Sequence, residues 1–316
     1  MIQSPICEIF GIKYPIFQGG MAWISDARLA SAVSLGGGAG LISAMNAGAD
    51  YVRGEIRKCR ESVGSLIFGV NIMLMSPFAD DIAQLVVDEK VPLVTTGAGL
   101  PSKYMPAWTA AGIKTAPVVP SVAVAKKAAK LGASAIIAEG GESGGHVGDL
   151  TTMALVPQVA DAVDIPVLAA GGVADGRGVA AAFMLGARGV QCGTRFLTAT
   201  ECNVHRNYKD KILAAKDIDT IVTGKSLGHP VRSLKNAFSR RFFEMEYDNT
   251  LSKEAIEAFG AGSLRKAAVE GDVTDGSVMA GQIAALVKDE APAAEIISRI
   301  FSEAENILRG ASEWIK

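Results

Sequence analysis

Short apolar runs and longer amphipathic stretches alternate from residue 15 to residue 196. The recurring theme is a β-prone run that gives way to Gly, Ser, Thr or Asn, followed by an Ala/Leu/Lys-rich stretch. The runs are 15–18, 39–42, 68–72, 93–96, 115–119, 135–138, 167–170 and 189–192. Their spacing fits βα units, and their nearly unbroken apolar character fits a parallel sheet buried on both faces. The amphipathic stretches carry helix punctuation. Asp26, Ser121 and Asp175 stand at N-cap positions, and glycines, including Gly132 and Gly186, follow the helical runs. Eight such units predict a closed (β/α)8 TIM barrel rather than an open doubly wound sheet.

After Phe196 the pattern changes. Residues 198–240 are polar and mixed, and hold His205, Tyr208, His229 and Arg232. They read as an eighth helix followed by a lid-like excursion over the barrel mouth. Residues 253–316 read as a helical C-terminal extension, with 276–287 and 293–308 as amphipathic segments. No Pro/Ser linker divides the chain. The expectation is one domain, with a barrel over about 12–215 and the excursion and extension over about 216–316.

Composition narrows the function. With 49% hydrophobic and 20% charged residues, the 316-residue chain can bury a large core. A net charge of −2 without a basic tail makes nucleic acid a poor partner. The N-terminus lacks the pattern of a signal peptide, and no apolar run is long enough to span a bilayer, so the chain reads as soluble and cytoplasmic. Cys7, Cys59, Cys192 and Cys202 show no framework spacing and read as reduced thiols. No HExxH or Cys/His cluster is present, so no transition-metal site is expected. GGGAG (36–40) precedes a strand instead of joining a strand to a helix, which is the wrong setting for a dinucleotide fingerprint.

The chemistry gathers where barrel enzymes build their sites, at the strand C-termini. Strand seven runs into Gly171-Gly172 and a helix start at Asp175–Gly176; strand eight runs into Gln191-Cys192-Gly193-Thr194. Two consecutive glycine loops, with a helix N-terminus beside them, suit a phosphate-bearing ligand. The other strand ends supply Gly20, Met21 and Ala22, Asn71, the 95–99 loop, and the run from Glu139 to His146. His146 lies where an imidazole can meet a ligand. His205 and His229 suit surface or loop-packing roles at least as well, and Cys192 reads as a small buried residue.

These segments carry a resemblance. YPIFQGGMAW (14–23), FGVNIM (68–73), VTTGAG (94–99), IAEGGESGGH (137–146), AAGGVADGRG (169–178) and QCGTRF (191–196) look like the FMN-barrel superfamily of nitronate monooxygenases and FabK-type enoyl-acyl-carrier-protein reductases. NIMLMSPFADD (71–81), PVVPSVAVAKK (117–127), LGHPVRSLKN (227–236) and GDVTDGSVMAGQ (271–282) are more similar to the reductase branch. Val118 stands where the nitronate-oxidising class carries lysine, and Val147-Gly148 follows His146 where that class has Pro-Gly.

The resemblance implies FMN as cofactor and NADH or NADPH as cosubstrate. It also implies reduction of trans-2-enoyl thioesters on acyl carrier protein, the last step of fatty-acid elongation, by a homodimer. Gly171, Gly172, Gly193 and Thr194 would hold the phosphate. Asn71, Glu139 and Gln191 would bond the ribityl chain or ring edge, and Gly20, Met21 and Ala22 would lie along the isoalloxazine. Gly144 and Gly145 would let the ring meet backbone, His146 would face the substrate, and Ser277, Met279 and Gln282 would close the pocket. A monovalent cation is a family trait, for which the 95–99 loop is the first place to look. Lys225, Arg232 and Lys235 can equally reach a nicotinamide 2′-phosphate, phosphopantetheine or solvent. The alternatives are a nitronate monooxygenase, a non-catalytic ligand-binding barrel, and a lyase or isomerase acting on a phosphorylated substrate.

Overall fold

The computed structural model describes residues 2–44 and 47–314. In chain order the elements are α1 (Pro5–Phe10), β1 (Ile16–Gln18), α2 (Ala27–Leu35), β2 (Gly40–Ser43), α3 (Ala49–Val63), β3 (Phe68–Met73), α4 (Ala79–Asp88), β4 (Leu93–Gly97), α5 (Met105–Ala110), β5 (Lys114–Val119), α6 (Val122–Lys130) and β6 (Ile136–Glu139). There follow β7 (Gly145–His146), α7 (Thr152–Ala160), β8 (Val167–Ala170), α8 (Gly176–Met184), β9 (Gly189–Cys192), α9 (Arg206–Leu213), β10 (Thr220–Thr223), β11 (Val231–Leu234), α10 (Ala237–Glu246), α11 (Lys253–Gly260), α12 (Ser263–Ala268) and α13 (Ala293–Gly310).

All eight expected barrel strands form. They lie parallel in the order β1-β9-β8-β6-β5-β4-β3-β2. The ring closes where Phe17 bridges Ala39: the Gln18 N–H donates to Ala39 O at 3.0 Å and the Ala39 N–H to Ile16 O at 2.9 Å. The expected caps hold as well. The carboxylate of Asp26 accepts the Leu29 N–H, the Ser121 hydroxyl accepts that of Val124, and Asp175 accepts those of Arg177 and Gly178.

Strand periodicity places the site. Phe17, Leu41, Leu93, Ile137 and Leu168 fill the barrel interior, closed below by Ile6 and Phe10 of α1. Two residues further along each strand, the inward positions become Thr95, Glu139 and Ala170, with Asn71 and Gln191 at the same level on β3 and β9. Asn71 pairs with Thr95, and Glu139, Ala170 and Gln191 stand in register across three strands.

Close packing makes several glycines obligatory. A Cβ at Gly40 would overlap the Ala30 carbonyl of α2. Gly40→Ala is therefore expected to cost about 1–3 kcal/mol by overpacking, visible as a lower urea midpoint with an unchanged slope.

The lid-like excursion takes a definite form, and one expectation needs correction. β10 and β11 form an antiparallel hairpin, and β11 continues the sheet onto β7, pairing Val231 with His146. Segment 276–287 is not an amphipathic α-helix. It runs as an extended strap, bridging Met279 to Ser233, and only Gln282–Leu286 turns, as a 3-10 helix. The strap must thread between the hairpin and the glycine loop after β6, where a helix would not fit: a Cβ at Gly144 would lie 2.6 Å from Ala280 C. The second helical segment is α13, packed on α8 and α2. Residues 315 and 316 of the expected extension lie outside the described residues. No described helix is long and apolar enough to cross a membrane.

Candidate active site

A cavity of about 690 Å³ opens at the C-terminal ends of the barrel strands. Of the expected residues, Gly20, Met21, Ala22, Asn71, Glu139, Gly144, Gly145, His146, Gly171, Gly172, Gln191, Gly193, Thr194 and Met279 all line it. Ser277 and Gln282 do not. Ser277 is buried, its N–H donating to Ser263 O at 2.9 Å, and the exposed Gln282 sends its backbone N–H to Glu142 O at 2.9 Å. A more open groove between α8 and α13, about 900 Å³, contains none of these strand-end groups.

The floor is polar. Asn71 Nδ2 donates to Thr95 Oγ1 at 2.9 Å, fixing the amide. Gly20 passes so close that a Cβ there would overlap Asn71 Cβ. Gln191 Oε1 is buried with no partner among the described residues, an unmet acceptor facing a ligand-sized space. Glu139 accepts the Ser143 hydroxyl at 2.8 Å, but burial dominates and pushes its carboxyl up to about 7.

That shift has a sign. The folded chain holds the Glu139 proton more tightly than the unfolded chain, so stability falls as pH rises from 4.5 through 7 and stays lower above it. Glu139→Gln removes this loss. The ligand-free variant is expected to be more stable than the parent above pH 7, on the order of 1–3 kcal/mol, and equal to it near pH 4. Denaturant midpoints across that range check this.

The rear wall is a glycine cradle. Gly171 and Gly172 adopt φ of +84° and +74°, open to glycine and strained for other residues. Gly193 leads into the 3-10 turn Thr194–Thr198. Thr194 Oγ1 accepts the Gly281 N–H at 2.9 Å, tying the strap to the barrel. The helix-start contribution expected at Asp175–Gly176 is spent inside the protein. Glu303 of α13 takes the Gly176 N–H at 2.8 Å, and Asp175 takes the next two. The backbone N–H groups left to face the cavity are therefore those of the glycine loops and the 3-10 turn.

The mouth is built by the lid. His146 projects from β7, and His229 and Pro230 come from the hairpin turn. His146 is exposed to the cavity mouth, and partial desolvation by the surrounding walls, with a secondary effect of His229, holds its imidazole below its ordinary range. Arg232 is a clamp rather than a phosphate reader: its Nε and Nη2 donate to Gly141 O at 3.1 and 2.8 Å, and Nη1 to Thr220 Oγ1. Lys235 Nζ likewise donates to Ile218 O at 2.7 Å, whereas Lys225 is exposed. His205 caps α9, as a loop-packing role requires. Cys192 is buried and its thiol pushed up to about 12, which leaves it no nucleophile.

The sequence left the place of His229 open, and it did not announce the apolar wall that Met73, Met75, Leu100, Pro120 and Val124 form with Val118. The signal for His229 was present. TIVT and VRSL flank a Gly/Ser/Pro-rich turn, a hairpin pattern.

The sequence model of the nitronate monooxygenase family matches residues 3–86 and 79–303. A structure of FabK from Thermotoga maritima is 45% identical, with a TM-score of 0.97 and all of both chains covered. A (3aS,4S,5R,7aS)-5-hydroxy-7a-methyl-1-oxo-octahydro-1H-indene-4-carboxyl-CoA dehydrogenase of Mycobacterium tuberculosis is 32% identical, covering 100% of this chain and 99% of its own. A probable nitronate monooxygenase of Staphylococcus aureus is 31% identical over 97% of this chain and 99% of its own. The family match runs through nearly every element that builds the cavity, and the chain belongs to the nitronate monooxygenase family, a family of oxidoreductases.

Proposed function

We propose that this protein is an FMN-dependent reductase of trans-2-enoyl thioesters, carried on acyl carrier protein and reduced at the expense of NADH or NADPH. The observation that carries the reading is the cavity's division into three parts: a glycine cradle at the rear, an amide and carboxyl floor, and an apolar wall facing His146.

The residues fit FMN. Gly171, Gly172, Gly193 and Thr194 would hold its phosphate, where the nearest atom to an added Gly172 Cβ is 3.7 Å away. Asn71, Glu139 and the unmet Gln191 Oε1 would bond the ribityl chain or ring edge. Gly20, Met21 and Ala22 would lie along the ring, with Gly144 and Gly145 beside it. Bound there, FMN supplies hydride transfer between nicotinamide and the enoyl carbon.

The chain's own work is positioning and proton handling. Met73, Met75, Leu100, Val118, Pro120 and Val124 take the acyl chain and exclude water. His146, at the mouth, donates to the thioester oxygen or delivers the proton that completes saturation. Val118 keeps this wall free of charge where the nitronate-oxidising class carries lysine, and FabK likeness at 45% identity exceeds that to the probable nitronate monooxygenase. A cytoplasmic homodimer completes the proposal.

The family match and the S. aureus relative favour a second reading, oxidation of alkyl nitronates with O₂. A steady-state assay separates them. Oxidation of NADH or NADPH that depends on a crotonyl thioester is expected; nitronate-dependent O₂ uptake with no thioester-dependent oxidation would replace the first reading with the second.

A further inference from the structure

The cavity continues past its mouth. Its lining runs on along α6 through Pro120, Val124 and Lys127, with Val147 and Gly148 beside them. Val124 and Lys127 are three positions apart on the helix and share one face. Pro120, just before the Ser121 cap, packs against the loop that carries His146: a Cβ added at Gly148 would lie 3.2 Å from Pro120 Cβ. The groove therefore starts beside that loop and follows α6 away from the strand ends. Lys127 stands about 9 Å along the helix axis from the cap.

Lys127 is the one lysine or arginine among the described residues that line the cavity. It is exposed, and its ammonium has no hydrogen-bond or ion-pair partner among the described residues. Asp149, which follows Gly148, is exposed and does not pair with it. Lys126 and Lys130 of the same helix are exposed as well, so this end of α6 is positive. The other cations near the lid are committed. Arg232 is held by Gly141 and Thr220, and Lys235 by Ile218. Lys225 is exposed but does not line the cavity.

We infer that this groove carries the outer arm of the thioester and that Lys127 binds the phosphate on that arm. The inference rests on the reductase reading above. A carrier-bound enoyl thioester changes character along its length, from apolar chain to thioester to amide-linked pantetheine to phosphate. The lining presents the same order: the apolar wall, its outer end at Pro120 and Val124 beside the His146 loop, then a free ammonium. A lysine ammonium is a point charge suited to a phosphate. With that end anchored, the enoyl carbons are drawn toward the floor of the cavity, so Lys127 acts on substrate binding and leaves the chemistry to other groups. A nicotinamide 2′-phosphate offers the same anionic chemistry, and the test separates the two sources.

Flavin-loaded protein is assayed with crotonyl-phosphopantetheine and with crotonyl-pantetheine, which differ only by the phosphate. The parent is expected to show a KM about 10-fold lower for the phosphorylated thioester, as one charge-assisted contact supplies. Added salt should erode that difference. In Lys127→Ala the two KM values are expected to converge, whereas Lys127→Arg should keep most of the difference because a guanidinium also binds phosphate. Bleaching by NADPH relative to NADH is followed in the same variants. Equal KM values in the parent, or a difference that survives Lys127→Ala, would overturn the inference. An effect of Lys127→Ala confined to NADPH bleaching would also overturn it and assign the ammonium to the nicotinamide. If neither thioester reoxidises the parent flavin, the reductase reading fails instead. Calorimetric titration with phosphopantetheine and pantetheine then reports on the phosphate site alone: binding of the first that Lys127→Ala abolishes keeps the site, and no preference for it removes the site.

Discussion

His146→Ala is expected to retain flavin and to lose thioester-dependent turnover by about 10²–10⁴-fold, the range that positioned proton transfer contributes. The fold should tolerate the change. His146 holds its place through backbone pairing with Val231, which alanine preserves, and its side chain opens onto the cavity instead of filling the core. The loss should therefore fall on kcat with the thioester, while the flavin spectrum and the unfolding midpoint stay near those of the parent. A normal kcat in this variant would remove His146 from the chemistry. A colourless variant would mean that the residue serves the cofactor instead.

The second large effect is expected at the glycine cradle. Gly171→Ala should reduce flavin affinity at least about 100-fold and destabilise the protein by about 2–4 kcal/mol. Two costs combine. The backbone there has φ of +84°, which disfavours any Cβ by about 1–2 kcal/mol. The new methyl would also meet Gly140 O at 2.8 Å, and Ser143 N and Thr152 Oγ1 at 3.2 Å, where the loops after β6 and β8 touch. Gly172→Ala is the control, with the same sign of φ but no atom closer than 3.7 Å to the added Cβ, so only the conformational cost applies. Fluorescence titration of stripped protein with FMN should rank the variants in that order. Equal binding by all three proteins would place the phosphate elsewhere.

The barrel was legible because its strands are buried on both faces and end in glycine or polar residues, so each unit announces itself locally. Asp26, Ser121 and Asp175 announced three helices by the same local logic. The polar floor was legible too, since Asn71, Glu139 and Gln191 occupy strand ends and topology alone brings strand ends together. Where long-range packing decides, local pattern failed. Segment 276–287 has helix-like apolar spacing, yet Gly276 and Gly281 mark an extended strap whose course depends on the glycine loop beneath it. The hairpin strands are short and only partly buried, so they lack the apolar alternation of core strands. His229 reaches the cavity, and Arg232 reaches Gly141, through the pairing of β11 with β7, a contact across more than 80 positions that no local window contains. Arg232 in particular looked like a free cation and proved to be held by a backbone carbonyl.

The most direct measurement is an anaerobic absorbance spectrum of the purified protein, with NADH or NADPH added first and an enoyl thioester second. The account predicts a flavin spectrum that bleaches with one nicotinamide and returns with the thioester. A flavin spectrum that neither nicotinamide bleaches, in a protein that consumes O₂ with an alkyl nitronate, would contradict it.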